Sequence, residues 1–268
     1  MNFLSEIIQR KRERVEAARK IVPPGAMLAL AQGARKQAQR HALSKRLNQD
    51  QVSIIAEFKR QSPSKGPINS DAEPAAMTRA YESAGAAAIS VLTEEDYFAG
   101  SLDDLRAARG AIRLPILRKD FIFEEYQVYE TASAGADALL LIVAALDDKA
   151  LLALRTLTED ELGMDALVEV HTRDELARAL NAGAKLIGVN NRDLRTFTVS
   201  TAISVELARL TPPEVTLISE SGLSPDEVRK LSALGYKGFL VGEALMTAED
   251  PGAMLRRFRE AREGAVEA

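Results

Sequence analysis

The 268 residues predict a (β/α)8 barrel with a helical N-terminal extension, on three observations. A pattern of small residue, glycine and apolar run recurs in SAGAAAISVL from Ser83, SAGADALLLIV from Ser133, NAGAKLIGVN from Asn181 and ALGYKGFLVG from Ala233. Its glycines, Gly85, Gly135, Gly183 and Gly235, are roughly 50 residues apart. Each fits the left-handed position just past a helix, with a strand following almost at once. Between them lie VSIIAEF from Val52, RLPILRKD from Arg113, DALVEV from Asp165 and EVTLISE from Glu214, which brings the strand candidates to eight. The runs are continuous rather than alternating, as parallel strands covered on both faces require. Eight β/α units in a chain near the roughly 250 residues of such barrels favour closure over an open sheet.

Taken in order, residues 2–19 and about 25–47 read as helices, interrupted by Val22-Pro23-Pro24-Gly25. Residues 1–48 therefore form a helical extension that the barrel does not need. It either plugs the base or meets another copy of the chain, or it covers the mouth. Helix starts are legible at Ser101 with Asp104, at Thr172 with Glu175, and at Ser224-Pro225 with Glu227, each a cap or capping box. No Gly-x-Gly-x-x-Gly follows the first strand, which argues against a dinucleotide-binding sheet. The expectation is one TIM-barrel domain over 1–268 with no fused second barrel.

Hydrophobic residues make up 46% and charged residues 28%, with a net charge of −4, which offers no basic field for nucleic acid. The absence of cysteine excludes disulfides, thiolate metal sites and a cysteine nucleophile, and two histidines, His41 and His171, are too few for most histidine metal sites. The N-terminus lacks the apolar core of a signal peptide, and no run reaches about 18 apolar residues. A cytoplasmic protein without membrane or nucleic-acid partners, monomeric or weakly homo-oligomeric, is expected.

Chemistry in a barrel gathers at the C-terminal strand ends. The first strand ends in Glu57-Phe58-Lys59, the second in Thr93-Glu94 leading to Tyr97-Phe98, and the third in Arg118-Lys119-Asp120-Phe121. The fifth ends in Glu169, the sixth in Asn190-Asn191-Arg192, the seventh in Glu220-Ser221-Gly222 and the eighth in Gly242-Glu243. One such charge is ordinarily a solvated loop residue, but several aimed at one mouth must be compensated or used. Gly222 and Gly242 stand where barrels of this kind bind phosphate, and Ser64-Lys65-Gly66 in the first loop can add a hydroxyl and an ammonium.

The segments IIAEFKRQSPSKG, ILRKDFIF, LVEVHT, IGVNNRDL, ISESGL and FLVGEALM, in this order, resemble the indole-3-glycerol phosphate synthase family across the whole chain. The resemblance implies closure of the indole ring of 1-(2-carboxyphenylamino)-1-deoxyribulose 5-phosphate with loss of carbon dioxide and water, without metal or organic cofactor. It implies that Lys119 is the acid, Glu169 the base, and Lys59, helped by Ser62, the grip on the leaving carboxylate. Glu57 then pairs with the lysines, Asn190 and Glu220 bind sugar hydroxyls, Ser221 meets the sugar chain, and Phe98 and Phe121 wall the aromatic ring. Gly222, Gly242 and Glu243 offer N–H groups to phosphate, with Ser64 and Lys65 contributing from the loop. Some members carry serine at Glu243, whose side chain is expected to turn away. Arg192 is expected to organise ion pairs beside the substrate, and His171 to be structural. Phosphoribosylanthranilate isomerase is the alternative, weakened by the missing cysteine of its Cys/Asp pair. A non-catalytic phosphate-binding barrel would lack a lysine and a carboxylate on opposite strands.

Overall fold

The computed structural model describes residues 3–47, 52–193 and 196–261. All eight expected strands form: β1 Ser53–Phe58, β2 Ala88–Leu92, β3 Ile116–Lys119, β4 Ala138–Ile142, β5 Asp165–Val170, β6 Leu186–Asn190, β7 Thr216–Glu220 and β8 Gly238–Val241. They pair in parallel and close, β1 joining both β2 and β8. The four repeat glycines have φ of 77° to 98° in the turns entering even-numbered strands, as the sequence pattern predicts.

The helices are α1 Phe3–Ile21, α2 Pro24–Arg35, α3 Ala42–Leu47, α4 Pro74–Ser83, α5 Leu102–Ala111, α6 Glu125–Ser133, α7 Asp148–Thr156, α8 Arg173–Asn181, α9 Ala202–Ala208, α10 Pro225–Ser232, α11 Glu243–Met246 and α12 Pro251–Glu260. Ser101, Thr172 and Ser224 accept the expected capping N–H bonds from Asp104, Glu175 and Glu227. The Glu175 carboxylate reaches one residue further back than a capping box requires and takes the N–H of His171 at 2.6 Å.

The extension departs from expectation in two ways. The helix expected over 25–47 breaks between α2 and α3, where His41 has φ 51° and gives its N–H to Gly163. The break lets α2 lie along α6 while α3 turns under the barrel. The extension also performs both tasks posed as alternatives. From α3, Leu43 and Leu47 enter the barrel interior beside Ile55, Ala88, Leu117, Leu167, Leu186 and Ile218, and the N–H groups of Leu43 and Ser44 bond Asp165 at the start of β5. Each buried leucine contributes about 2 kcal/mol to this plug. At the opposite end α1 crosses the mouth. Asn2 and Asn48, at the limits of the expected first helix and extension, lie outside the described residues.

Candidate active site

Alternation along the strands sets the site. Residues facing the barrel axis run Ile55 then Glu57 on β1, Leu117 then Lys119 on β3, Leu167 then Glu169 on β5, and Ile218 then Glu220 on β7. An apolar layer thus supports a charged one. Above it opens a cavity of about 340 Å³, within the range of small-molecule sites. It is lined by Glu57, Lys59, Ser62, Ser64, Phe98, Lys119, Phe121, Glu169, Asn190, Arg192, Glu220, Ser221, Gly222, Gly242 and Glu243. Of the expected site residues, Lys65 alone is outside this wall.

The Lys119 ammonium stands 3.2 Å from Glu169 and 3.1 Å from Glu220. Glu57 instead pairs with Lys59 at 2.7 Å, so its partnership with the lysines divides: contact with one, and charge felt by the other. Burial alone would lower the Lys119 pKa, but Glu220, Glu169 and Glu57 outweigh it and raise it. Burial likewise opposes ionisation of Glu169, yet Lys119 and His171 outweigh it and hold that carboxyl below its ordinary range. For Glu220, burial wins over the attraction of Lys119 and, with repulsion from Glu169 and Glu57, pushes the pKa up to about 7. Beyond the ion pair with Lys119, neither Glu220 oxygen takes a hydrogen bond among the described residues, which leaves both open to a ligand hydroxyl.

Two glycines make this crowding possible, Gly188 within β6 and Gly242 just past the end of β8. A Cβ on Gly188 would lie 2.2 Å from Glu220 Oε1, and one on Gly242 2.4 Å from Glu57 Oε1. Gly188 sits inside an apolar strand, a legible sign of close approach that the strand-end reading passed over.

The Glu220 environment sets a stability prediction. Its folded pKa, about 7, exceeds the ordinary 4.5, so the native state holds a proton that the unfolded chain has lost between those values. Stability from this group is present below pH 4.5 and lost as pH rises through 7. Glu220→Gln is expected to raise the melting temperature relative to wild type at pH 8 and to lose that advantage by pH 4.5. Thermal unfolding at both pH values checks it, and an equal offset at both contradicts the argument.

The flanking loops complete the mouth. Gln61–Ser62 and Gly66–Pro67 form a short antiparallel ribbon, tied down by Arg60, whose guanidinium grips Asp104 at 2.7 and 2.9 Å. Lys65 reaches Glu243 at 3.4 Å, and both side chains are solvent-exposed. The Glu243 side chain thus faces the loop lysine across a solvent-screened contact. Ser221 and Gly222 have consecutive φ values of 67° and 68° at the end of β7. This left-handed pair turns the chain sharply along the cavity wall. Phe98 and Phe121 lie on one side with ring centroids 6.5 Å apart. Glu94 holds Phe98 there by accepting the N–H groups of Asp96, Tyr97 and Phe98. Asn190 bonds Glu169 and takes the N–H of Arg192, whose guanidinium donates to the Phe197 carbonyl.

The sequence reading missed the apolar lining: Phe3, Leu4 and Ile7 from α1, and Leu140 and Ile142 from β4. It also missed the clamp that seats α1. Lys11 is buried and meets Asp120 at 2.9 Å and Glu95 at 2.5 Å. Asp120 also takes Arg118 at 2.9 Å and the Thr93 hydroxyl at 2.6 Å, and its pKa falls to about 2 because Lys11 and Arg118 overcome the effect of burial.

A closed barrel whose strand ends converge on one lysine between carboxylates defines a (β/α)8-barrel enzyme. Among solved structures, a KGPDC from Streptococcus mutans has TM-score 0.62 at 16% identity, covering 81% of this chain and 100% of that one. Thiamine phosphate pyrophosphorylase from Pyrococcus furiosus has TM-score 0.61 at 16% identity, covering 81% and 98%. These share the fold. The family model "Indole-3-glycerol phosphate synthase" matches residues 4–258. The chain is 46% identical over 259 residues to the indole-3-glycerol phosphate synthase of Carboxydothermus hydrogenoformans, covering 94% of this chain and 98% of that one. With that of Micrococcus luteus it shares 45% over 264 residues, covering 97% and 98%. The chain belongs to the indole-3-glycerol phosphate synthase family, a family of decarboxylating lyases in tryptophan biosynthesis. The isomerase alternative is not favoured. No helix among the described residues is long and apolar enough to cross a membrane.

Proposed function

We propose that the chain closes the indole ring of 1-(2-carboxyphenylamino)-1-deoxyribulose 5-phosphate, with Lys119 as general acid and Glu169 as general base. The observation that carries this reading is the Lys119 ammonium, 3.2 Å from Glu169 and 3.1 Å from Glu220 at the floor of the cavity. A raised lysine pKa keeps the acid protonated, and a lowered glutamate pKa keeps the base ionised.

The ring carbon that bears the carboxylate attacks the C2 carbonyl, and Lys119 gives a proton to the carbonyl oxygen as charge builds there. The bond to the carboxylate breaks next, its electron pair returns to the ring, and carbon dioxide leaves from beside Lys59. Glu57, at 2.7 Å, keeps that ammonium pointed into the mouth. Glu169 then takes a proton from C1 while a lysine, Lys59 or Lys119, protonates the departing hydroxyl. Asn190 and Glu220 bind sugar hydroxyls, Ser62 assists the carboxylate grip, Ser221 meets the sugar chain and Arg192 borders the substrate. Phe98 and Phe121 flank the aromatic ring. The phosphate rests on the N–H groups of Gly222, Gly242 and Glu243, with Ser64 and Lys65 closing over it. The same reading takes residues 1–268 as one domain, a cytoplasmic monomer or weak homo-oligomer.

The test mixes purified protein with the carboxyphenylamino-deoxyribulose phosphate and follows indole fluorescence with a chelator present. Product is expected at an undiminished rate. No product from folded protein overturns the assignment, and loss of activity on chelation overturns the metal-free route.

A further inference from the structure

We propose that His171 is the proton-delivery residue of this site, carrying to Glu169 the proton that each turnover draws from solvent. The inference rests on the ring-closing reading above and concerns a step that reading leaves unassigned. The substrate carboxylate departs as neutral carbon dioxide, the carbonyl oxygen gains one proton to become hydroxyl, and the hydroxyl gains a second to leave as water. Only one proton, from C1, is returned. Each turnover therefore consumes one proton from outside. Where Lys119 supplies both protons, the one left on Glu169 can return to it at 3.2 Å, and the other must arrive by a second route once substrate fills the cavity, because Lys119, 14% exposed, faces only that cavity.

The imidazole of His171 stands on that route. It follows β5 directly, two residues beyond Glu169, so the two side chains share a face. Its Nε2 is 3.5 Å from Glu169 Oε1, and its Nδ1 is 3.3 Å from Glu175 Oε2 in the first turn of α8. The side chains open outward in order: Glu169 is 2% exposed, His171 12% and Glu175 17%. Nε2 is buried with no hydrogen bond among the described residues, which suits a nitrogen that trades its proton with the carboxylate before it. The strongest charges acting on the ring are those of Glu169 on β5, Glu175 on α8 and Glu220 on β7, with the Lys119 ammonium of β3 behind Glu169 and Glu220. Together the three carboxylates outweigh burial and raise the imidazole pKa, favouring the imidazolium. In the delivery step the Nε2–H bond breaks and an O–H bond forms on Glu169, which relays the proton to the neutral lysine. To reset, the ring swings outward from Glu169 so that Nε2 meets solvent, takes a proton from water there and swings back. Because His171 acts through Glu169, it is a relay rather than a catalytic residue.

The test compares wild type, His171→Ala and His171→Gln in the fluorescence assay across increasing concentrations of imidazole buffer at fixed pH and ionic strength. Folding of each is checked by thermal melting. Both variants are expected to lose at least about tenfold in kcat with KM changed less than about twofold, and imidazole is expected to restore part of kcat in His171→Ala. Wild-type kcat is expected to ignore buffer concentration near neutral pH and to depend on it only at alkaline pH, where the imidazolium is lost. The proposal is overturned if the folded variants keep wild-type kcat, if the deficit of His171→Ala does not respond to imidazole, or if wild type shows no buffer dependence at alkaline pH. That last measurement needs no variant to fold. An inactive wild type would instead sink the ring-closing reading itself, a result distinct from all of these.

Discussion

Lys119→Ala is expected to lower turnover by at least about 100-fold, and Glu169→Gln to do the same, the loss typical of a general acid or base. The two changes act on opposite ends of one contact. Removing the ammonium leaves Glu169, Glu220 and Glu57 facing one another without the cation that overcomes their burial. Glu169 then loses the charge that most lowers its pKa, so some of the base is protonated before substrate arrives. The alanine variant should therefore show both a lower kcat and an acidic limb displaced to higher pH. Glu169→Gln removes the base but leaves Lys119 paired with Glu220, so its kcat should fall without that displacement. Steady-state pH profiles of the three proteins decide the matter. Near-normal turnover in either variant contradicts the role assigned to that residue.

Asp120→Asn is expected to cost about 3–5 kcal/mol of stability, the range for breaking a buried ion pair from one side. Asp120 answers two buried cations at once, Arg118 at 2.9 Å and Lys11 at 2.9 Å, and an amide would leave both short of compensation. Glu130 and Glu95 still serve those cations, which keeps the expected loss finite. The pH dependence has a definite sign. The Asp120 pKa is depressed from 3.8 to about 2, so its contribution is present above pH 3.8 and lost as pH falls through 2. That shift corresponds to about 2 kcal/mol, and the variant should lack the corresponding slope. Asp120 follows Lys119 in sequence and holds α1 over the mouth, so turnover should fall as well at temperatures where the variant is folded. Chemical denaturation at pH 7 and pH 3 provides the check; a change under about 1 kcal/mol at pH 7 contradicts the account.

Much of the fold was legible because its turns are written in single residues. Gly85, Gly135, Gly183 and Gly235 adopt the left-handed conformation that made their repeat meaningful, and the apolar runs after them are the even-numbered strands. The charged floor was legible because strand alternation carries Glu57, Lys119, Glu169 and Glu220 to one face once the strands are placed. What escaped depends on contacts distant in sequence. Lys11 lies in the run QRKRERVE, where it looks like one more solvated charge, and only docking of α1 against β2 and β3 buries it. The turn from α2 to α3 carries no glycine or proline between residues 34 and 47, since packing and the Gly163 carbonyl shape it rather than a local breaker. Leu140 and Ile142 were passed over because a search for polar strand ends cannot register a wall that is useful for being apolar.

The most direct measurement of the central claim is a crystal structure with the reaction product, indole-3-glycerol phosphate, bound. The account predicts phosphate oxygens about 3 Å from the N–H groups of Gly222, Gly242 and Glu243, with the indole ring beside Phe98 and Phe121 and its pyrrole carbons facing Lys119 and Glu169. A phosphate held elsewhere, or an indole turned away from both Lys119 and Glu169, would contradict it.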